Sequence, residues 1–368
     1  MGDALAKAVL FQAPSGPVTS THIIWDERPK GTPEGGVLRP FLWLGRPGTL
    51  TTIVYFHGNA EDLMDVEGEL LELSEELRVN VLAVEYPGYG LMRHGSASVP
   101  QPWALSLCSR RAGGEAGETT IEGIDRAAKH ALAYVITTRG IPGSQVLLFG
   151  RSLGSGTAMR LAKYARDRFH WSVGGIVLQC PYISIKQVVS DYTCSVGSLL
   201  IPAYYDNLET LRQLCMECPV AMEPKRFVPL LILHGEQDEI IWPYHGHALY
   251  EEAVRYGHPS VEAAFAPNAT HNRWDLHEDI VRPTGQFIKR HLVNLEGRAR
   301  GGDTPGGSCF GPGSRSRGHG RSFGAATCTS ANVENACLSG HGGGAVSQLL
   351  NEEREESRRL LQAGYRAV

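Results

Sequence analysis

The chain has 368 residues, of which 42% are hydrophobic, and a formal net charge of -4 with a pI near 6.4. This content is enough for a sizeable core, and a weakly acidic chain gives no electrostatic reason to expect nucleic acid as the main partner. The eight cysteines show no framework spacing, so we expect reduced thiols. No apolar run approaches the roughly 20 residues of a membrane helix, and the start lacks a secretory layout, which predicts a cytoplasmic protein.

The N-terminal residues 1–18 form a short apolar segment that ends in a proline and glycine turn. Such a segment either packs on a domain or lies on a membrane surface, so peripheral membrane contact remains an alternative. Across residues 19–296 strand-like and helix-like runs alternate. This alternation predicts one α/β domain with a mostly parallel central sheet and helices on both faces.

The predicted elements of this domain follow one another in short runs. An antiparallel pair opens it, and six further strands follow, so that the eight strands lie at residues 22–25, 37–44, 51–56, 79–85, 145–149, 175–179, 228–233 and 261–266. Helices are predicted at residues 61–77, 121–138, 155–169, 246–256 and 284–292.

Three stretches depart from the alternation. Residues 94–118 are rich in proline and glycine and predict a disordered surface insertion. Residues 181–227 are a candidate small cap over the site, although their apolar pieces fit ordinary packing helices equally well. Residues 297–368 are dense in glycine, serine and arginine, which predicts a disordered tail with a short terminal helix.

A pentapeptide of the GxSxG type, GRSLG, occupies residues 150–154 between a predicted strand and a predicted helix. A serine on such a turn has a strained backbone, and glycine two residues to either side lets the strand and the helix approach closely. The pentapeptide alone is a weak signal, because glycine and serine are common in loops. Its strand and helix context makes Ser152 a candidate nucleophile.

A serine nucleophile needs an imidazole to take its proton and a carboxylate to orient that imidazole. In proteins with this turn the acid and then the histidine follow the serine, each after a later strand. Asp238 lies just past the predicted strand 228–233, and His271 follows the strand 261–266. We therefore assign Asp238 as the acid and His271 as the base, with Glu236 and Glu239 as alternative acids.

The chain has 14 histidines, so position has to separate a base from structural residues. His234 lies beside a glycine at a strand end and is expected to brace its loop. His245 and His247 lie on the following segment, and no motif supports a catalytic role for either.

Two backbone amides are expected to stabilise the oxyanion of the reaction. The first is the N–H of Leu153, directly after the nucleophile and at the start of a helix. The second belongs to the HGNA segment at residues 57–60, where the N–H of Asn59 fits best and that of Ala60 is the alternative. His57 and Gly58 are expected to shape this loop.

These motifs together resemble the alpha/beta-hydrolase domain-containing protein 17 family of protein depalmitoylases, and more loosely the domain-containing protein 13 group. The resemblance implies the α/β-hydrolase fold and the catalytic roles of Ser152, Asp238 and His271. That family carries an N-terminal cysteine cluster whose palmitoylation tethers it to membranes, whereas the first cysteine of this sequence is Cys108. The matching segments lie at residues 6–11, 57–60, 85–90, 150–156, 234–239 and 271–272.

The sequence therefore predicts a serine hydrolase that cleaves an acyl thioester or ester and requires no metal or organic cofactor. Its expected partner is an acylated protein or a small acyl ester, and the resemblance favours a long-chain S-acylated protein, as in a palmitoyl-protein thioesterase. A carboxylesterase, lipase or peptidase of the same fold is the first alternative, because fold does not set substrate. A non-catalytic interaction module of the hydrolase fold is the second.

Overall fold

The computed structural model describes residues 20–27, 38–93, 119–169, 172–193, 205–216 and 227–293. These residues form one eight-stranded sheet with the order β1-β2-β4-β3-β5-β6-β7-β8. The strands are β1 (Ile23–Glu27), β2 (Leu38–Leu44), β3 (Thr52–Phe56), β4 (Asn80–Val84), β5 (Val146–Arg151), β6 (Gly175–Gln179), β7 (Leu230–Gly235) and β8 (Val261–Ala266). Strand β2 pairs antiparallel with β1 and β4, and the other pairs are parallel.

Seven α-helices connect the strands or follow them. They are α1 (Leu63–Leu77), α2 (Ile121–Ala133), α3 (Leu153–Phe169), α4 (Ile185–Tyr192), α5 (Asn207–Met216), α6 (Tyr244–Arg255) and α7 (Arg282–Ile288), counted within the described ranges. Helix α2 continues as a π-helical turn at Tyr134–Thr138, and π-helical turns at Leu276–Val281 and Lys289–Val293 flank α7. None of the helices in these ranges is both long and apolar enough to cross a bilayer.

The core consists of two layers because successive strand residues point to opposite faces of the sheet. In β3, Val54 and Phe56 join the cluster that packs against α2, α3, α5 and α6. Their neighbours Ile53 and Tyr55 join the cluster beneath α1 and α7 on the other face. Burial on both faces explains why the central strands read as continuous apolar runs.

The predicted α/β-hydrolase fold is confirmed, and each predicted strand lies within two residues of an observed one. The predictions for segments 1–18, 94–118 and 297–368 concern residues that lie outside the described ranges. Within 181–227, α5 packs against α3 and α6, whereas α4 was not predicted as a helix. The helix predicted at 155–169 begins two residues earlier, directly after Ser152.

We predict opposite effects for the same substitution at two helical glycines. A methyl group on Gly154 would lie 2.1 Å from the backbone oxygen of Phe56, so Gly154→Ala should lower the free energy of unfolding by about 1–3 kcal/mol. Gly68 is exposed in α1 with open space beside it, so Gly68→Ala should raise that free energy by up to about 1 kcal/mol. Urea denaturation of both variants measures this, and equal stability of Gly154→Ala and the wild type would contradict it.

Candidate active site

The turn that carries Ser152, called here the nucleophile turn (residues 150–154), joins the buried strand β5 to α3. Ser152 has φ of +50°, in the left-handed region that residues other than glycine rarely adopt. Both flanking glycines are required by close approach, since a methyl group on Gly150 would lie 2.3 Å from the backbone oxygen of Gly154. A methyl group on Gly154 would in turn meet Phe56 of β3. The strand therefore passes directly into the helix with the serine at the apex.

The structure brings the three side chains assigned from the sequence together. His271 Nε2 lies 3.2 Å from Ser152 Oγ, and His271 Nδ1 lies 2.9 Å from Asp238 Oδ2. With Nδ1–H donating to the carboxylate, Nε2 is left to accept the serine hydroxyl proton. Asp238 and His271 are buried, and they arrive from the loops after β7 and β8. The arrangement fits proton transfer from serine to imidazole with a carboxylate behind it.

The Asp238 carboxylate is held in its charged form. Burial alone would raise its pKa, but the imidazoles of His234 and His271 and the backbone N–H of Ile241 oppose this, and the net result is a pKa well below the usual range. Its Oδ1 atom accepts the N–H groups of Ile240 at 2.9 Å and Ile241 at 2.8 Å. These bonds fix the carboxylate and leave Oδ2 directed at His271.

The alternative acids lie in other surroundings. Glu236 is exposed, and its Oε1 atom lies 3.1 Å from Nε2 of the exposed His247. Glu239 is also exposed, and it accepts the backbone N–H of His271 at 3.5 Å without contacting the imidazole nitrogens. Neither carboxylate therefore occupies the position behind Nδ1 that Asp238 takes.

The other two histidines weighed as bases are buried and structural. His234 donates from Nε2 to the backbone oxygen of Ile241 at 2.8 Å, which braces the loop that carries Asp238. His245 accepts the N–H of Ile183 at Nδ1 and lies 2.8 Å from Asp191 at Nε2. Burial lowers the pKa of His245, although the bond to Asp191 opposes this shift.

Both candidate oxyanion residues border the same cavity as Ser152. Leu153 begins α3, and Asn59 lies in the loop after β3, called here the oxyanion loop (residues 57–61). The Oδ1 atom of Asn59 accepts a hydrogen bond from the hydroxyl of Tyr89 at 2.7 Å, which holds the amide side chain in place. Ala60, the alternative, has φ of +61°.

A buried polar pair supports the oxyanion loop from behind. His57 donates from Nδ1 to the backbone oxygen of Gly58 at 2.9 Å, and its Nε2 atom lies 3.5 Å from Glu85 Oε1. Tyr86 packs against the imidazole at a tilt of 33°, and its hydroxyl donates a hydrogen bond to the backbone oxygen of His57 at 2.9 Å. His57 thus shapes the loop, as the sequence predicted. No local sequence pattern predicted that Glu85 would lie beside His57.

A cavity of about 360 Å³ opens beside Ser152 and is lined mainly by apolar side chains. Helix α4 forms one wall, and sequence reasoning missed this helix. Its signal was present, because Ser184 caps it and the apolar residues recur at helical spacing. The apolar lining consists of Leu153, Tyr182, Ile185, Val188, Val189, Tyr192, Ile240 and Ile241.

One group of three metal-ligating side chains occurs in the described part of the chain, formed by Cys180, Asp238 and His271, with ligand atoms within 4.8 Å of one another. Asp238 and His271 already share a hydrogen bond through Oδ2 and Nδ1. Burial, and next the charge of Asp238, raise the pKa of the Cys180 thiol well above its usual range. A metal binds the thiolate, so this group fits a hydrogen-bonded pair beside a neutral thiol, and we assign no metal to it.

The site also contains residues that the sequence reasoning did not assign. Arg151, the second residue of the nucleophile turn, forms an ion pair with Glu61 and donates to Asn272 Oδ1 at 3.0 Å. In the sequence, the only feature that marks Arg151, Glu61 and Asn272 is that each lies next to or near an assigned residue. Local patterns gave no indication that the three side chains meet.

No family model matches the chain. Among curated proteins it is 26% identical over 250 residues to alpha/beta hydrolase domain-containing protein 17C of Xenopus tropicalis, which covers 67% of this chain and 64% of that protein. It is 23% identical over 249 residues to alpha/beta hydrolase domain-containing protein 17B of Homo sapiens, covering 68% of this chain and 70% of that protein. The chain thus spans a little less than two thirds of the length of the first of these relatives.

Solved structures show the same fold. An esterase of Pyrococcus furiosus superposes with a TM-score of 0.52 at 15% identity, covering 77% of this chain and 98% of that esterase. At this identity the likeness concerns the fold. Together with the curated relatives it confirms the resemblance given by the motifs: the chain has the α/β-hydrolase fold and is similar in sequence to members of the alpha/beta hydrolase domain-containing protein 17 family.

Proposed function

We propose that the protein is a serine hydrolase that cleaves acyl thioesters or esters through Ser152, His271 and Asp238. The observation that carries this proposal is the continuous hydrogen-bonded series from Ser152 Oγ through His271 to Asp238, at 3.2 and 2.9 Å, beside an apolar cavity. A serine hydroxyl is a weak nucleophile without such a base. A non-catalytic interaction module would have no need for this arrangement.

In the first half of the reaction, Ser152 Oγ attacks the acyl carbonyl while His271 Nε2 takes its proton. Asp238 stabilises the imidazolium that forms, because it remains charged and accepts from Nδ1. The backbone N–H groups of Leu153 and Asn59 are assigned to the oxyanion. When the carbon–sulfur or carbon–oxygen bond breaks, the imidazolium returns its proton to the leaving thiol or alcohol, and the acyl group stays on Ser152.

In the second half, water takes the place of the leaving group. His271 removes a proton from the water, whose oxygen attacks the acyl carbon, and the same N–H groups stabilise the second oxyanion. The bond to Ser152 then breaks, and the imidazolium gives its proton to the serine oxygen. A carboxylic acid is released and the hydroxyl is restored.

For the substrate we propose a long-chain S-acylated protein, as for a palmitoyl-protein thioesterase. The apolar wall formed by α4 supports this choice, because an alkyl chain gains about 0.8 kcal/mol for each buried methylene. The relation to the 17 family supports it as well. An enzyme with this substrate acts on acylated proteins in the cytoplasm, with peripheral contact at the membrane where such proteins lie.

We predict that a fluorophosphonate probe labels the purified protein at Ser152. Ser152→Ala should abolish the labelling, because the only activated hydroxyl of the proposed reaction is removed. Ser144 is exposed and lies two residues before β5 begins, so Ser144→Ala serves as the matched control and should label like the wild type. Persistent labelling of Ser152→Ala, read on a gel or by peptide mass spectrometry, would refute the assignment.

We predict that Asp238→Asn keeps the two backbone hydrogen bonds at Oδ1 but lowers kcat by roughly 10⁴-fold. The NH₂ group of the amide then faces Nδ1 of His271, and because it can only donate, it cannot hold the required tautomer. Steady-state hydrolysis of a nitrophenyl ester measures the loss. Glu236→Gln, which neutralises an exposed carboxylate of the same loop, is the control and should leave kcat near the wild-type value. The reverse pattern would identify Glu236 as the acid.

The lowered pKa of Asp238 also predicts how stability depends on pH. A carboxyl whose pKa falls on folding stabilises the folded state above its unfolded pKa of about 3.9, and this contribution is lost as the pH falls through the folded pKa. The difference in unfolding free energy between the wild type and Asp238→Asn should therefore be constant from about pH 5 to about pH 7 and shrink below about pH 4. Urea denaturation across this range measures it, and a difference that grows on acidification would contradict it.

We predict that a bulky side chain on α4 shortens the acyl chain that the enzyme accepts. Wild-type kcat/KM should rise by up to roughly fourfold for each methylene that enters the cavity. Val189→Trp should remove this rise for long chains and spare acetyl substrates, because Val189 lines the cavity. Val254→Trp, at an exposed position of α6, is the matched control. The test is a series of acyl thioesters and oxyesters with chains of roughly two to sixteen carbons, so that the number of methylenes available for burial rises along the series. An unchanged chain-length profile in Val189→Trp would exclude the cavity as the acyl site.

A further inference from the structure

The second residue of the nucleophile turn carries a charge that the fold buries. Arg151 is the last residue of β5, and 8% of its surface is exposed. A guanidinium does not lose its proton in a protein, and burial of an unpaired charge is costly. The partners of Arg151 therefore matter, and they come from two other loops of the site.

On one side Arg151 contacts the oxyanion loop through Glu61. The guanidinium Nη1 atom forms an ion pair with Glu61 Oε1. The second carboxylate oxygen, Oε2, accepts the backbone N–H of Gly58 at 2.7 Å. Gly58 immediately precedes Asn59, whose N–H is assigned to the oxyanion. Glu61 thus connects the guanidinium to the backbone that presents this donor.

On the other side Arg151 contacts the loop that carries the base. The guanidinium Nη2 atom donates to Asn272 Oδ1 at 3.0 Å and to the backbone oxygen of His271 at 3.4 Å. Asn272 is exposed and follows the base directly. The backbone of His271 is therefore held from the side of the nucleophile turn, while Asp238 holds its imidazole.

We propose that Arg151 is a positioning residue that sets the distance between nucleophile, base and oxyanion donor. This inference rests on the proposed function. Arg151 touches neither the substrate nor the reacting atoms in this role, but it joins the three chain segments that supply them. A displacement of about 1 Å between reacting groups can cost on the order of 10²-fold in rate. The planar guanidinium suits this task, because its separate N–H groups bind two loops at once, which a lysine ammonium does less well.

An ion pair that served only the fold would behave differently. Its loss would lower the midpoint of thermal unfolding but would leave kcat of the folded protein unchanged. Loss of a positioning contact should lower kcat and the rate of fluorophosphonate labelling, while KM for a short acyl ester stays nearly constant. The split between kcat and KM therefore separates the two roles.

The experiment compares Arg151→Met, Arg151→Lys and Asn272→Ala with the wild type in the full-length protein. The readouts are kcat and KM for a nitrophenyl acetate substrate, the labelling rate constant and the unfolding midpoint. We expect kcat of Arg151→Met to fall about 10- to 100-fold with KM within about threefold, and Arg151→Lys to recover part of the loss. Asn272→Ala, which removes one exposed acceptor, should lower kcat about 3- to 10-fold without lowering the unfolding midpoint.

A double variant tests the connection through Glu61. If Arg151 and Glu61 act as one unit, Glu61→Gln combined with Arg151→Met should lose no more activity than Arg151→Met alone. Arg160→Met is the matched control, because Arg160 of α3 pairs with Asp125 of α2 at the surface, outside the site. The kcat of this variant should stay at the wild-type value.

Each outcome has a defined meaning. Wild-type kcat in both Arg151→Met and Asn272→Ala overturns the inference. If Arg151→Met fails to fold, Asn272→Ala decides alone, and wild-type kcat in that variant overturns the inference. If Ser152→Ala keeps full esterase activity, the proposed function fails, and this result is distinguishable because it does not depend on Arg151.

Discussion

The whole site depends on one close contact, between the start of α3 and the end of β3. Gly154 lies against the backbone oxygen of Phe56, where a methyl group would approach to 2.1 Å. Because this contact leaves no room for a longer connection between β5 and α3, the chain changes direction at Ser152, which has a positive φ. Its backbone N–H donates to the oxygen of Gln179 at 2.8 Å, which fixes the turn to β6 as well. The backbone of the proposed nucleophile Ser152 and of the turn that carries it is therefore held by the two neighbouring strands β3 and β6.

The same sheet explains why the assigned residues could be predicted from the sequence. Strands β5, β7 and β8 run parallel, so their carboxyl ends lie at one edge, and any side chain just beyond them comes near that edge. Ser152, Asp238 and His271 each follow such an end, and a turn motif with two strand ends was enough to select them. The apolar runs that define the strands are long and unambiguous because both faces of the sheet are covered. Position relative to the sheet thus carried more information than residue type.

Contacts between loops could not be predicted in this way. Arg151 is 90 residues from Glu61 and 121 from Asn272, and no period or turn rule relates them. The same holds for Glu85, whose carboxylate lies 3.5 Å from His57 in the interior. Such pairs depend on side-chain directions that arise only when the sheet has formed. Helix α4 is a different case, because its capping serine and the helical spacing of its apolar residues are visible in the sequence.

In the proposed reaction, different parts of the fold carry the chemistry and the selection of substrate. The proposed nucleophile, base and acid follow strand ends, whereas α4, which lines the cavity, is anchored by side-chain contacts. His245 of α6 contacts both ends of α4. It accepts the backbone N–H of Ile183, just before α4, and its Nε2 atom lies 2.8 Å from Asp191, near the end of α4. Because Nδ1 accepts an N–H, the imidazole is neutral with its proton on Nε2, and burial lowers the pKa of His245, which favours the same neutral form. Under the proposed function, substitutions in α4 would therefore alter which acyl chain fits the cavity, while the distances between Ser152, His271 and Asp238 stay the same.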